Sequence, residues 1–535
     1  MTTHEIDLPY NDNLGAIAKT TPSSHTNTNN NSKTDLSSFA NTSTSTIPDL
    51  NTPIQHHYLT FETTLPHPTT GISSTPNGPT PAPPNLKKYT SPFEWPERKK
   101  NGILWLSCIA TLITAATAGS YSPAVAQMSA EWGISDVATV VGITTFCCGF
   151  AIAPMVLAPF SEINGRYPVF VAAGILYFVC QLCCAVTHSY PGMLVARFFV
   201  GCGSSVFSTM VGGVVSDLYH AQDRNTPMAL FSGAALFGTG VGPLVAGFLA
   251  ENLNWRWVFW VQTIFVGVLV ACITLFLSET RGSILLSRKA AVLNKWYEER
   301  EAAGYVGFDM IGEDGEKMWV AFSWAVLYLT FAAIPLIFET SHNFSLQQAN
   351  SVFAAMMVGA TLATVLSIYQ DRLLARYLLH SSKNQTSTSK FRNAIDLSSP
   401  EARLYFACIE SALLPIGLFW FGWTSFPSVP WIVPALSVAC STMGIYSIYL
   451  ATFNYLADTY HRYASSALAA QSFCRNMLGG VFPLVTVAMF RNLTFQGAAS
   501  LLGGVGTLLT AVPWVLVFFG PRIRGRSRFA LGQAV

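Results

Sequence analysis

Long apolar segments alternate with short polar loops along most of the chain. A helix needs about 20 predominantly apolar residues to cross the hydrocarbon core of a bilayer, and these segments are of that length. The pattern therefore predicts an all-α membrane protein with twelve transmembrane helices. We number the predicted spans 1 to 12, at residues 102–124, 137–159, 167–187, 191–213, 227–250, 256–277, 318–338, 350–369, 402–423, 431–453, 463–489 and 498–519.

One short motif occurs twice, about 240 residues apart, each time between two predicted spans. Asp217-Leu-Tyr-His and Asp458-Thr-Tyr-His are both followed by an apolar stretch that is rich in small residues. A duplicated half built around apolar spans is typical of transporters in which one half moves against the other. We therefore expect two six-helix pseudo-repeats, at residues 96–277 and 318–535, joined by a central loop at residues 278–317. The two aspartates become candidates for gating or proton coupling.

The composition also favours a membrane protein, because 51% of the residues are hydrophobic, 11% are charged and the mean hydropathy is +0.38. A soluble domain of this length is rarely so apolar. Neither a nucleotide-binding loop of the G-x-x-x-x-G-K-[ST] kind nor a zincin motif occurs, so we expect no enzyme and no drive by ATP. The 11 cysteines all fall inside predicted spans, so we expect free thiols, without disulfides, metal or cofactor.

Residues 1–95 differ from the rest of the chain, because they are rich in Thr, Ser, Asn and Pro and show no apolar period. Such a segment cannot bury a core, so we expect a disordered tail. It opens on Met-Thr-Thr-His-Glu, which does not have the character of a cleavable signal peptide.

Lysine and arginine concentrate on alternate loops, and this sets the expected orientation. They occur before span 1, between spans 2 and 3, after spans 6 and 8, and in a short basic C-terminal tail. The positive-inside rule therefore puts both termini and the central loop in the cytoplasm. The sequons at Asn343 and Asn492 would then be glycosylation candidates on the other side, although so short a motif has low specificity. We expect the plasma membrane, with the vacuolar membrane as the alternative.

Three charged residues fall inside predicted spans: Arg197 in span 4, Glu410 in span 9 and Arg475 in span 11. A charge in the bilayer core is costly, so such a residue is interpreted as functional by default. Arg197 lies several residues into its span, where reaching the interface is harder. Glu410 and Arg475 are candidates for substrate binding. The alternative for all three is a buried ion pair or a side chain that extends toward the interface.

The loop between spans 2 and 3 carries Glu162, Gly165 and Arg166. Gly165 permits a tight turn. Glu162 and Arg166 are placed to form a cytoplasmic charge pair that could hold one conformation. The alternative is an ordinary capped loop with a positive-inside arginine.

Span 5 carries Gly238 and Gly242, which are four residues apart and therefore share a helix face. Two glycines on one face allow a neighbouring helix to approach closely. Pro243 removes one backbone hydrogen bond and can kink the span. Helix packing alone would also explain this spacing.

Taken in order, these segments resemble the major facilitator superfamily, in particular the fungal twelve-span drug:proton antiporters. The resemblance runs from about residue 95 to the end of the chain. Its motif residues are Glu162, Gly165 and Arg166 in the loop after span 2, Arg197 in span 4, and Gly238, Gly242, Pro243 and Gly247 in the span 5 antiporter motif. Ala158 and Ile163 depart from the usual loop motif, which suggests a weaker cytoplasmic gate, and Ala246 replaces a usual glycine in span 5.

Three further stretches resemble the polyamine and multidrug exporter group. They are Asn254-Trp-Arg-Trp-Val-Phe259, Pro400-Glu-Ala-Arg403-Leu and Phe453-Asn-Tyr-Leu-Ala-Asp458. The resemblance implies a major facilitator fold, a role for Arg197 in proton coupling and a place for Asn454 among the substrate-binding candidates.

The sequence therefore predicts a proton-coupled antiporter that exports polyamines or xenobiotic drugs by alternating access. Its partners would be the substrate, protons and the lipid bilayer, with no nucleic acid, and the chain would act as a monomer. One alternative is proton-coupled uptake of a sugar or siderophore, against which the span 5 motif argues. The other is a membrane sensor that moves nothing, which a long cytoplasmic signalling domain would favour.

Overall fold

The computed structural model describes residues 56–61, 84–302, 309–311, 334–335, 337–340, 342–383, 400–460 and 464–524. Helix dominates this part of the chain. The α-helices, which we number α1 to α16 in chain order, are Glu97–Gly119, Val125–Trp132, Asp136–Asn164, Arg166–Val186, Tyr190–Thr209, Val211–Leu218, Asn225–Asn252, Arg256–Phe276, Gly282–Ala302, Leu346–Ser351, Ala354–Lys383, Tyr405–Glu410, Leu413–Thr424, Ile432–Tyr460, Ala464–Leu509 and Ala511–Arg524.

Ten stretches of the described chain are long and apolar enough to cross a membrane. They cover predicted spans 1 to 6, 8 to 10 and 12. Span 11 lies in the first part of α15, and span 7 lies mostly outside the described residues. Large apolar side chains such as Leu275 and Phe276 are 76% and 70% exposed, as expected of a surface that meets lipid. The predicted all-α membrane fold is confirmed.

Local chemistry explains several helix boundaries. The hydroxyl of Ser135 accepts a hydrogen bond from the backbone N–H of Ala138 at 3.3 Å and so caps the start of α3. α3 ends at Gly165, whose φ of +100° lies in a region that side-chain-bearing residues rarely adopt. Thr494 has φ +64° and ψ 166°, which interrupts α15 between spans 11 and 12.

One face of α7 lies in backbone contact with α1. Gly238 faces the carbonyl oxygen of Leu112, and Gly242 faces that of Ala116. A Cβ added at either glycine would overlap the carbonyl oxygen it faces. The two glycines of span 5 therefore allow the two helices of the first half to approach closely. Pro243 lies inside α7, which continues as a helix on both sides of it.

The other face of α7 meets the second half of the chain. Gly240 lies against Met357 of α11, and Gly247 lies against Asn350 of α10. An added Cβ would come within 2.8 Å of the Met357 side chain and within 2.6 Å of the Asn350 side chain. α7 is therefore lined with glycine both toward its own half and toward the other.

Hydrogen bonds also join the two halves. The hydroxyl of Thr144 on α3 donates to the carbonyl oxygen of Gly480 on α15 at 2.8 Å. The hydroxyl of Tyr446 on α14 donates to the carbonyl oxygen of Ala229 on α7 at 3.1 Å. These two hydrogen bonds link α3 and α7 of the first half to the second half.

The bundle has two ends, which we name by residues found there. The Asp458 end carries Gly165, Asp217 and Asp458. The Glu131 end carries an ion pair in which Arg256 donates to both carboxylate oxygens of Glu131, at 2.7 and 2.8 Å. α7 runs from the first end to the second.

A short segment of the N-terminal tail contacts the central segment. β1 (His56–Tyr58) pairs in parallel with β2 (Asp309–Ile311). Leu59 is buried against Leu293 and Tyr297 of α9. In this short segment the Leu59 side chain packs on a helix of the central segment, whereas the sequence led us to expect a disordered tail over residues 1–95. Most of the remaining tail lies outside the described residues.

The contact between α7 and α1 predicts the effect of a methyl group. Gly242→Ala should lower the unfolding temperature of the purified chain, because the added Cβ overlaps the Ala116 carbonyl and overpacking costs about 1–3 kcal/mol. Gly102→Ala is the matched control, since Gly102 lies on α1 with no atom near its Cβ position. It should be neutral or slightly stabilising. Equal unfolding temperatures for the two variants would contradict the close approach.

Candidate functional site

Asp217, at the end of α6, is the centre of a buried charge cluster in the first half. Its Oδ2 accepts from Nε of Arg166 at 2.5 Å, and its Oδ1 lies 3.4 Å from Nη1 of Arg281. Arg166 is 2% exposed. Burying a guanidinium this deeply is costly, and a charged or hydrogen-bonding partner offsets that cost. The cluster therefore ties together the start of α4, the end of α6 and the segment that follows α8.

Glu279, just after α8, caps the start of α4. Its carboxylate accepts from the backbone N–H groups of Arg166 at 2.9 Å and Tyr167 at 3.2 Å, where a helix N-terminus favours negative charge. The same carboxylate lies against Gly165, and a Cβ there would overlap it. Gly165 is therefore needed for its positive φ and for the room it leaves to Glu279. The sequence analysis identified the turn and missed Glu279.

Asp458, at the end of α14, joins the two halves. Its Oδ1 accepts from Nη1 of Arg224 in the loop before α7 at 2.8 Å. Its Oδ2 accepts from Nε of Arg403 of its own half at 2.9 Å. Arg403 in turn donates to the carbonyl oxygen of Ala221 in the first half at 2.6 Å. One carboxylate thus holds two arginines that come from different halves.

The arginine on the first-half side is buried together with its partner. Burial lowers the pKa of the Arg224 guanidinium, while the charge of Asp458 acts in the opposite direction. An arginine remains protonated under all ordinary conditions. Arg224 therefore stays charged, and a separation of the two halves at this end would break its ion pair with Asp458.

Glu162 forms a second bridge between the halves. Its carboxylate accepts from the hydroxyl of Ser466 at 2.9 Å and from the backbone N–H of Ser466 at 3.3 Å, near the start of α15. The charges of Glu162 and Arg166 attract each other as predicted, while Nε of Arg166 donates to Asp217. Asn454 donates to Asn225 across the halves at 2.5 Å, and its role in substrate binding stays a prediction.

The duplicated motif has a structural counterpart. Asp217 holds Arg166 at the start of α4, and Asp458 holds Arg403 just before α12, so each repeat pairs its aspartate with an arginine of its own half. The sequence analysis identified both aspartates as candidates, but not Arg224 or Arg403. The 241-residue offset between the two aspartates puts Ala407 opposite Arg166, so the register of the repeats indicates neither Arg403 nor Arg224.

A buried cluster at mid-depth lies between the halves, and we call it the central cluster: Ser208, Phe231, Tyr449, Phe453 and Arg475. The guanidinium carbon of Arg475, which is 3% exposed, lies 5.5 Å from the centroid of the Tyr449 ring. The Tyr449 hydroxyl lies near both Arg475 and Ser208. The Phe231 ring, from the first half, lies 6.2 Å from Tyr449 and 5.5 Å from Phe453.

The depth of the central cluster follows from the helix register. Ser208 precedes Asp217 by nine residues, and Tyr449 precedes Asp458 by nine, so the two occupy equivalent positions in the repeats. Nine residues of α-helix span about 14 Å. The hydrocarbon core of a bilayer is about 30 Å thick. The central cluster is therefore near the middle of the bundle.

Arg197 lies within the first half, away from the Asp458 end. It is 0% exposed, and its guanidinium carbon is 4.7 Å from the ring centroids of both Tyr121 and Phe146. Among the described residues its three nitrogens have no hydrogen-bond partner. By the register of the repeats, the equivalent residue in the second half is Val438.

Glu410 lies inside the second half. Its carboxylate accepts hydrogen bonds from Gln370 of α11 and from the hydroxyl of Ser447 of α14, the latter at 2.5 Å. Both donors are neutral, and all three residues belong to the same half. A role for Glu410 in substrate binding stays a prediction.

A cavity of about 430 Å³ opens at the Asp458 end. Glu97, Lys100, His220 and Asp223 contribute its polar lining. Its lining comes from α1, the end of α6, the loop between α6 and α7, and the start of α7. None of the residues of the central cluster lines this cavity.

Both candidate sequons have exposed asparagines. Asn343 has φ +53° and lies close to α10, whose residues contact the Glu131 end of α7. Asn492 lies next to the interruption of α15 at Thr494. Both lie away from the Asp458 end, and their glycosylation stays a prediction.

Comparison with known proteins identifies the family. The profile of the Major Facilitator Superfamily matches residues 107–484, which is more than half of the chain. The chain belongs to the major facilitator superfamily. Its members are membrane transporters and not enzymes, as the sequence predicted for this chain.

Curated relatives are fungal. The chain is 33% identical over 402 residues to the efflux pump atB of Aspergillus terreus, covering 71% of this chain and 83% of that protein. It is 30% identical over 463 residues to the major facilitator superfamily multidrug transporter mdrA of Aspergillus fumigatus, covering 82% and 74%. It is 28% identical over 467 residues to the efflux pump FUB11 of Gibberella moniliformis, covering 82% and 76%.

A solved structure shows the same fold. The proton:xylose symporter XylE bound to 6-bromo-6-deoxy-D-glucose superposes with a TM-score of 0.55 at 15% identity, covering 79% of this chain and 97% of that one. At this identity the likeness concerns the fold alone.

The bridge at Asp458 predicts a conformational variant. Asp458→Asn should leave Arg224 and Arg403 without their shared anion, and removing one partner of a buried ion pair costs about 3–5 kcal/mol. The Asp458 end should open more often, so trypsin should cleave faster after the buried Arg224. Asp223→Asn, an exposed position in the same loop, is the control. Equal cleavage rates in the two variants would show that Asp458 does not hold this end closed.

Proposed function

We propose that this chain exports small organic molecules in exchange for protons, by alternating access, with the Asp458 end facing the cytoplasm. The bridge of Arg224 and Arg403 to Asp458 carries the proposal, because it is a buried ion-pair network that joins the two halves at the Asp458 end. A rocking transporter requires such a contact, which forms in one state and breaks in the other.

The direction of transport is supported by the relatives. Two of those described above are named efflux pumps and a third is named a multidrug transporter. The orientation is supported by the basic residues, since Arg166, Arg281 and Arg403 all cluster at the Asp458 end. We place the chain in the plasma membrane as a monomer.

Glu162 is the group through which a proton would act on the gate. Its ionised carboxylate accepts two hydrogen bonds from Ser466 of the other half. A hydrogen bond to a charged acceptor is about twice as strong as a neutral one. Protonation of Glu162 would therefore weaken the bridge and favour opening of the Asp458 end.

Arg197 would contribute to proton coupling through its positive charge. A cation held 0% exposed between two aromatic rings favours deprotonation of any carboxylic acid that approaches it. A substrate or proton carrier that enters this region would change protonation state there. This role does not require a carboxylate in permanent contact with Arg197.

The test compares export of a labelled neutral azole and of labelled spermidine from cells that lack the chain and cells that overexpress it. Overexpression should accelerate azole export, and a protonophore should abolish the difference. Faster accumulation instead of export would favour the uptake alternative. If neither labelled compound moves across the membrane, the result would favour the alternative of a membrane sensor that transports nothing.

Arg197→Ala should abolish the protonophore-sensitive part of azole export while the chain still reaches the membrane. Arg197→Lys should not rescue it, because an ammonium does not replace a planar guanidinium stacked on aromatic rings. Arg288→Ala, an exposed position on α9, is the control for loss of one arginine. Normal export by a well-expressed Arg197→Ala would remove Arg197 from the mechanism.

A further inference from the structure

We propose that Glu251 holds the Glu131 end of the bundle closed, as a carboxylate that joins the two halves there. This rests on the proposed function, because it names the residue whose contacts must break when the chain opens opposite the Asp458 end. Glu251 lies in the last turn of α7, and the sequence analysis did not identify it as a candidate.

The contacts of Glu251 cross from the first half to the second. Its Oε2 accepts from the hydroxyl of Ser345 at 3.1 Å and also from the backbone N–H of Gln347, both at the start of α10. The side chain of the neighbouring Asn252 donates to Oε1 of Gln347 at 3.5 Å. The last turn of α7 therefore contacts the second half through a carboxylate and an amide.

The same chemistry occurs at the opposite end of the bundle. Glu162 lies in the last turn of α3 and accepts from the hydroxyl and the backbone N–H of Ser466, near the start of α15. Each glutamate thus belongs to the end of a first-half helix and binds the beginning of a second-half helix. Because α3 ends at the Asp458 end and α7 at the Glu131 end, a glutamate joins the two halves at each end.

The position of Glu251 on its own helix makes the contact favourable. The last turn of a helix leaves backbone carbonyls without an intrahelical partner, and a negative charge beside them is unfavourable. The donors of Ser345 and Gln347 offset this, since hydrogen bonds to a charged acceptor are about twice as strong as neutral ones. A separation of the halves at this end would leave the carboxylate beside its own carbonyls, solvated by water alone.

Other polar contacts fix the end of α7 within the first half. Gln127 of α2 donates to the carbonyl oxygen of Ala250 at 2.5 Å and accepts from the backbone N–H of Trp255 at 2.6 Å. The last turn of α7 is thereby tied to α2 and to the start of α8. Glu251 therefore moves with the first half, so its contacts with α10 break when the two halves separate at this end.

The expected strength of the contact is moderate, because Glu251 and Ser345 are both exposed. Water competes for exposed polar groups, so such contacts contribute less than buried ones. We therefore expect the contact to change the equilibrium between the closed and open states of this end by about threefold.

Hydrogen exchange of the purified full-length chain tests the contact. Glu251→Gln keeps the shape and removes the charge, so the backbone amides of α10 should exchange about threefold faster. Trypsin cleavage after Arg224, which reports on the Asp458 end, should not accelerate. Unchanged exchange in α10 would overturn the inference. Faster cleavage after Arg224 would also overturn it, because the variant would then loosen the whole bundle and not one end.

Glu131→Gln is the matched control at the same end. It removes a carboxylate of the first half whose partner, Arg256, belongs to the same half. Exchange in α10 should therefore keep its original rate in this variant. If Glu131→Gln accelerates the exchange as much as Glu251→Gln does, the effect comes from losing any carboxylate at this end, and the inference fails.

A double-mutant cycle with Ser345 tests the hydrogen bond itself. Ser345 also caps α10 together with Gln348, so Ser345→Ala alone should accelerate exchange in α10 through both lost contacts. In the Glu251→Gln background the contact across the halves is already weakened, so Ser345→Ala should have a smaller effect. Equal effects in the two backgrounds would show that Glu251 and Ser345 are not coupled and would overturn the inference.

Azole export separates this inference from the proposed function. If Glu251→Gln accelerates exchange in α10 selectively but the unmodified chain exports no azole, the proposed function fails and the contact at the Glu131 end stands. If the unmodified chain shows protonophore-sensitive azole export but Glu251→Gln behaves like Glu131→Gln, the inference fails and the proposed function stands.

Discussion

The ion pairs of the Asp458 carboxylate are the interactions that hold the two halves together at the Asp458 end. The carboxylate is shared by Arg224 and Arg403, and Arg403 also reaches a backbone carbonyl of the first half. Removing one partner of a buried ion pair leaves the other charge uncompensated at a high cost, so these contacts favour forming and breaking together. Such a network gives two discrete arrangements instead of a continuous range, which is what a two-state transporter requires.

Much of the fold follows from the sequence, because the bilayer imposes a length and a polarity on every helix that crosses it. The repeated D-x-Y-H motif indicated Asp217 and Asp458 for a different reason, because a duplicated half places equivalent residues in equivalent positions. Their partners were harder to predict. Glu162 and Arg166, four residues apart, attract each other as expected, but the sequence did not indicate that Asp217 also binds the arginine or that Ser466 donates to the glutamate.

The candidate site was predictable only in part. Arg475 stands out because a charge in a transmembrane span is rare, but its neighbours depend on the rotation of three helices that no single apolar pattern fixes. Ser208 and Tyr449 carry no signal as single residues. They emerge only when the two repeats are placed in register, nine residues before each aspartate. Symmetry between the halves was therefore more informative than hydropathy for locating the middle of the protein.

The glycines on both faces of α7 have a consequence for speed. Helices usually pack with the side-chain ridges of one in the grooves of the other. If such helices slide past each other, the interlocked side chains must first separate. Where α7 meets α1 and α11, glycine leaves the surface locally smooth. At these positions few side chains oppose a movement of α7 along its neighbours. The glycines of α7 would therefore affect the rate at which the two halves change their relative arrangement, without contacting the transported molecule.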